Sequence, residues 1–167
     1  MARQSGLTLI ELMIAIAILA IIAGIAVPEL RSIVINSRLT TQTNEVVAAL
    51  NYARSEAIKR GADVVLCATD GANLGNGWFV NAGGACNAAQ ALVRHEALSE
   101  VFVDLTVESN RAALRAPPLL FNSRGALVGG ARSVWIQANE CPTGMQRTRE
   151  ISVLGSGRIA TRRADCP

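Results

Sequence analysis

Aromatic side chains are scarce in this chain of 167 residues: Trp, Tyr and Phe together make up 4%. Any core must therefore rest on Val, Leu, Ile and Ala. Histidine occurs once, at His95, and no CxxC pair is present, so a zinc site lacks its usual ligand set. No P-loop occurs, so a nucleotide-driven motor would have to be a separate protein. Ser, Asp and Glu are scattered without a nucleophile motif, and His95, between Arg94 and Glu96, reads as an exposed side chain and not as a base. The loop Asp70-Gly71-Ala72-Asn73-Leu74-Gly75-Asn76-Gly77 offers oxygens and glycines. It lacks the acidic density and the twelfth-position Glu of a calcium loop. The expectation is a protein that is not an enzyme and carries no cofactor and no metal.

Charge is also thin, at 17% charged against 50% apolar residues, and much of the apolar excess sits before Pro28. The remainder of the chain, roughly 100–140 residues, is enough for one small domain. Fifteen of the sixteen basic residues are Arg, with Lys59 the exception, a bias that carries no function by itself. The net charge of +3 is unevenly spread: residues 1–110 balance at −3 and residues 111–167 at +6. A basic final third suits an anionic partner, and equally a solvated arginine-rich surface.

Residues 7–27 read LTLIELMIAIAILAIIAGIAV, with Glu11 the single charge. As a helix this run would span about 31 Å, the thickness of a hydrocarbon core. A secretory signal would have a shorter apolar region with small residues after it. Here the glycine comes first, so the run reads as a membrane span. Charge barely orients it, since Arg3 on one side faces Arg31 and Arg38 on the other. Cys67, Cys86, Cys141 and Cys166 all lie beyond the span, and an even set in a small domain points to disulfides and an oxidising compartment. Glu11 has two readings. An acid in hydrocarbon costs about 3 kcal/mol on insertion scales and is by default functional; at four residues into the span it is also shallow enough to be tolerated.

The stretch Ser5-Gly6-Leu7-Thr8-Leu9-Ile10-Glu11-Leu12-Met13 resembles the class III signal of type IV pilins and pseudopilins. The resemblance implies cleavage between Gly6 and Leu7 by prepilin peptidase, and N-methylation of Leu7. Family members usually carry Phe at that position, and Leu7 is a conservative departure. It further implies that Glu11 pairs with the terminal amine of a neighbouring subunit during filament assembly. A contact between Glu11 and the amine of its own chain is the alternative. Pro28 closes the apolar run; a proline there resembles the point where pilin stems bend or melt, and a plain helix stop is the other reading.

Beyond Pro28, Val46, Leu50, Ala53 and Ala57 recur at steps of four, three and four, with Val47 and Ile58 widening the face. Lys59, Arg60 and Gly61 suit a helix C-terminus. One long helix over residues 8–60 is expected. Short strand-like runs come next at 64–67, 78–80, 91–93, 101–107, 119–121, 134–138 and 151–154, separated by turn signals such as Asp70-Gly71 and Pro117-Pro118. The fold class expected is α+β, a pilin-like long helix packed on an antiparallel β domain. Its divisions would be a leader (1–6), an apolar helix (7–28), an amphipathic helix (29–61) and a β domain (62–167).

Tyr52-Ala53-Arg54-Ser55-Glu56-Ala57, then Val64-Val65-Leu66-Cys67 and Gly77-Trp78, resemble the GspH/FimT family of minor pilins and pseudopilins. So do Leu120-Phe121-Asn122 with Gly125, residues 149–154, Gly157-Arg158 and Cys166. The resemblance implies a minor subunit that primes or caps a filament of a type IV pilus or of a type II secretion pseudopilus. Its partners would be other pilins or pseudopilins, prepilin peptidase and the inner membrane, with the C-terminal domain in the periplasm. Four cysteines allow three pairings; Cys67–Cys86 and Cys141–Cys166 close the shortest loops, and the second resembles the C-terminal loop of related pilins. Other pairings and free buried thiols stay open. Some FimT-like pilins bind DNA through a Gly-Arg-x-Arg tail. Gly157-Arg158 matches it but Ala160 takes the second arginine position, leaving Arg162 and Arg163 as substitutes. If Cys166 is tethered to Cys141, these arginines, with Arg147 and Arg149, would sit on one constrained loop and contact phosphates in a salt-sensitive way.

Overall fold

The computed structural model describes residues 8–71, 74–97, 104–106, 108–109, 112–113, 118–138 and 141–166. Helix α1 runs over Leu9–Arg60, 52 residues, and continues through Pro28. The proline has no N–H for the Gly24 carbonyl, so one rung of the helix ladder is missing there, but the helix does not stop. The chain divides into two compact units, one up to Asn36 and one from Ser37 onward. Helix residues 37–60 share the core of the β domain.

In the first unit the large apolar side chains from Leu9 to Val27 are all at least half exposed. Leu, Ile, Val and Met turned outward in every direction leave no face for a core of their own. The helix is long and apolar enough to cross a membrane, with a mean hydropathy of 2.8 in its most apolar window.

In the second unit α1 presents Leu39, Val46, Leu50, Ala53 and Ala57, each fully buried. Ile58 departs from expectation: it is 51% exposed, one position past the buried Ala57 and turned off the core face. The helix closes with a Schellman motif. Gly61 takes φ 61°, its N–H donates to Ile58 O at 3.3 Å, and Ala62 N–H donates to Ala57 O at 3.3 Å. Glu56 accepts from Lys59 Nζ at 3.2 Å and Arg60 Nε at 2.8 Å. The Arg60 bond first, then that of Lys59, holds its pKa below the ordinary carboxylate value. Stability from this clamp is present above the unfolded-state pKa and is lost as pH falls through the lowered one. Glu56→Gln should therefore flatten the acid limb of a stability–pH curve.

The strands are β1 (Val64–Ala68), β2 (Trp78–Ala82), β3 (Ala91–His95), β4 (Asp104–Thr106), β5 (Glu108–Ser109), β6 (Ala112–Ala113), β7 (Leu119–Phe121), β8 (Arg132–Gln137), β9 (Thr148–Val153) and β10 (Ile159–Ala164). They form antiparallel sheets in the orders β3-β2-β1-β7 and β10-β9-β8-β4, with β5 and β6 as a separate pair. The expected strand at 101–107 is met by β4; residues 101–103 and 107 lie outside the described residues. Strand β10 was not expected. Its sequence, IATRRA, has no apolar alternation, because an edge strand with exposed side chains needs only a backbone partner, here β9.

In the first sheet Val65, Cys67 and Phe79 form a buried cluster, with Leu120 and Ala91 packed on it. The loop after β2 folds over this strand set. Buried Asn81 donates through Nδ2 to Ala85 O and Asn87 O, at 3.0 and 2.9 Å. These bonds carry Cys86 to Cys67. The structure closes Cys67–Cys86 and Cys141–Cys166, with Cα separations of 5.9 and 5.4 Å. The second bond ties the chain end back to the segment before β9, where Cys166 N–H also donates to Met145 O at 2.9 Å. Closing a loop of 19 residues restricts the unfolded chain by about 3 kcal/mol. The double variant Cys67→Ser, Cys86→Ser is expected to lose that much, read as a lower denaturant midpoint under non-reducing conditions.

Candidate functional site

Glu11 does not project freely from the apolar helix. Thr8 precedes the first helical residue, Leu9, and caps it: Glu11 N–H donates to Thr8 Oγ1 at 3.3 Å. In return, Thr8 N–H and Thr8 Oγ1 both donate to Glu11 Oε2 at 3.2 Å. This reciprocal exchange is a capping box, and it satisfies orphan donors of the first turn while placing a carboxylate at the positive end of the helix. The signal was readable as Thr-x-x-Glu ahead of an apolar run, yet the sequence reading assigned Glu11 without its cap. Gly6 and Leu7, the expected cleavage and methylation positions, lie outside the described residues. So does the terminal amine of either expected pairing. Chemically, the site is a lone carboxylate, oriented by its own helix, on a surface that is otherwise apolar. A cation brought beside it from a second helix would relieve the cost of holding that charge away from water.

The Cys141–Cys166 bond encloses Arg147, Arg149, Arg158, Arg162 and Arg163, which stand before and on β9, after its turn, and on β10. Arg149 is on β9 and only 6% exposed, donating from Nη1 to Gln146 O and Thr148 O. Burial lowers its pKa, and the facing Arg163 lowers it further. Arg158 lies beyond the turn that succeeds β9, while Arg162 and Arg163 are consecutive on β10 and so project to opposite faces. Arg162 sits directly across from Glu150 and its Nε donates to the Glu150 carboxylate, which also accepts from Ser133 Oγ at 2.9 Å. The nearly buried acid thus has a cation of its own, and Arg162 is engaged within the sheet.

His95 is half-buried, not a free surface side chain as expected. Its ring stacks on Trp78 with centroids 4.7 Å apart, Nδ1 meets Glu96 O at 2.8 Å, and Nε2 lies 3.6 Å from Glu45. Beside it a shallow groove of about 320 Å³ is lined by Arg38, Gln42, Glu45 and Ala97. The arrangement joins β3 to α1. Among the described residues no cluster of His, Cys, Asp and Glu that could hold a metal is formed.

Residues 42–157 match the family described as type II transport protein GspH. Residues 1–27 match the prokaryotic N-terminal methylation motif. A curated relative, a fimbrial protein of Pseudomonas aeruginosa, is 42% identical over 69 residues, which is 41% of this chain and 44% of the relative. The chain thus spans less than half the length of that relative. Among solved structures, the type IV minor pilin FimU of Pseudomonas aeruginosa superposes with a TM-score of 0.65 at 22% identity, covering 79% of this chain and 97% of that one. The minor pseudopilin EpsH of the Vibrio cholerae type 2 secretion system gives 0.51 at 15% identity, covering 75% and 97%. Both likenesses are of fold.

Proposed function

Because the chain belongs to the GspH family, we propose that it is a minor, non-catalytic subunit of a type IV pilus, contributing to filament assembly or initiation. The observation that carries this reading is the helix start. An apolar surface with no face buried holds one oriented carboxylate, and continues as the same helix into a β domain. Such a helix has two environments that satisfy it, a bilayer and a bundle of like helices. Moving from the first to the second is what a filament subunit does. The methylation motif over residues 1–27 supports processing between Gly6 and Leu7 by prepilin peptidase, with methylation of Leu7. The subunit waits in the inner membrane with its disulfide-bonded domain in the periplasm, then enters the filament beside other pilins. Glu11 pairs there with the terminal amine of a neighbour, and Pro28, which interrupts the helix ladder, is where the stem gives way.

The pilus reading is favoured over a secretion pseudopilus by the 42% identity to a fimbrial protein. The family's own description, as a type II transport protein, favours the second reading. One experiment separates them. Deleting the chain should reduce sheared surface filaments several-fold while leaving secreted enzymes in the medium unchanged; the reverse result would assign it to secretion. Nucleic-acid binding is not needed by this reading, and Arg162 is already engaged by Glu150.

A further inference from the structure

Three aliphatic side chains of the second unit stay exposed on segments that meet. Ile58 is 51% exposed, Val128 47% and Leu154 43%. They belong to three segments that touch one another. A Cβ on Gly125 would lie 2.7 Å from Ile58 Cδ1, Leu127 N–H donates to Gly155 O at 3.0 Å, and Gly157 packs on the carbonyl of Gly125. Val128 comes after buried Leu127 and Leu154 after buried Val153, so in each case the neighbour faces the core and the patch residue faces out.

The charge on these segments is mainly positive. Residues 54–60, 124–128 and 154–158 hold five cations and one acid. That acid, Glu56, is engaged by Lys59 and Arg60. Arg124 and Arg158, on two of these segments, are exposed. The backbone beneath is fixed: Gly125 and Gly157 hold φ of 73° and 78°, and Arg54 Nε donates to Gly125 O at 3.1 Å. A rigid aliphatic centre within a basic rim is pre-organised for a protein surface of opposite sign. The three segments hold no Phe or Trp to stack a base, which disfavours single-stranded nucleic acid. A second copy of this chain would set one basic rim against another.

We infer that the patch of Ile58, Val128 and Leu154 docks an acidic-rimmed apolar spot on a different subunit of the same filament. The inference rests on the minor-subunit reading above. It is tested in the full-length chain, produced with its own filament system, by placing a benzophenone photo-crosslinking residue at Val128, at Val93 on β3, or at Ile18 in the apolar helix. Val128 should give a discrete adduct, identified by mass spectrometry as an acidic segment of another subunit with a methylation-type N-terminus. The double variant Arg124→Glu, Arg158→Glu should lower that adduct roughly five-fold or more, and added salt should weaken it too, while the Ile18 adducts persist. Adducts from Ile18 with none from Val128 overturn this inference and leave the minor-subunit reading standing. Adducts from Val128 to lipid, to nucleic acid or to a second copy overturn it as well, as does equal crosslinking from Val93. Loss of adducts at Ile18 in the unsubstituted background removes both.

Discussion

Replacing Gly157 by alanine should destabilise the β domain by about 3–5 kcal/mol, the largest loss expected of any single added methyl group. Two costs combine. Gly157 holds φ 78°, a left-handed conformation that an L side chain adopts at about 1–2 kcal/mol. An added Cβ would also overlap the carbonyl oxygen of Gly125 and stand 2.9 Å from Arg54 Nε. A carbonyl in a tight turn cannot swing aside as a side-chain end does, so the β9–β10 turn or the Arg54 bond must give. Two other glycines calibrate the effect. Gly125→Ala meets mainly the flexible Ile58 side chain, with φ 73°, and should cost less. Gly130→Ala has φ 87° and nothing within 4 Å, leaving the backbone cost alone. Thermal unfolding of the three variants, disulfides intact, should rank them in that order, with a fall on the order of 10 °C for Gly157→Ala. Equal losses at Gly157 and Gly130 would show that the contact with Gly125 does not matter.

That contact explains why two scattered motif fragments occur together. Asn122 accepts at Oδ1 from Arg124 N–H and Ala126 N–H, both at 3.0 Å, and so shapes the loop that brings Gly125 to the helix. Arg54 then bonds the Gly125 carbonyl, on which Gly157 closes. As sequence these are an Arg on a helix, an Asn and two glycines separated by up to a hundred positions. Their joint meaning is three-dimensional.

The helix was legible because its signals are local and redundant. Val46, Leu50, Ala53 and Ala57 recur with helical period and all are fully buried, and Gly61 ends the helix as its position suggested. The strands of the first sheet were legible as apolar runs because β1 is buried along its whole length. Strand β10 was not, since its side chains are exposed and its pairing with β9 is a backbone matter. The same blindness left the arginines without strand positions. A strand alternates its faces, so consecutive Arg162 and Arg163 part, and only the register shows that Glu150 faces Arg162. Ile58 shows the limit of periodicity: it fits the apolar face by spacing, yet lies just past its edge and stays in solvent.

The second large effect is at Glu11, where three variants separate a charge from a cap. Glu11→Ala should leave the chain in the membrane fraction, since removing a carboxylate from an apolar span favours insertion by up to about 3 kcal/mol. Its amount in sheared filaments should fall at least ten-fold. That loss alone is ambiguous, because the variant also deletes half of the capping box with Thr8. Glu11→Gln resolves it: glutamine serves a capping box but carries no charge. If Glu11 acts by neutralising the cationic terminus of a neighbouring helix, the Gln variant should fail as the Ala variant does. Thr8→Ala makes the converse change, keeping the charge and removing the hydroxyl at about 1 kcal/mol of helix-end stability. It should reduce incorporation only modestly. Immunoblots of membrane and filament fractions read all three. Normal incorporation of Glu11→Gln with failure of Thr8→Ala would mean that the carboxylate serves its own helix and not a neighbour. The assembly role would then have to move elsewhere on the apolar surface.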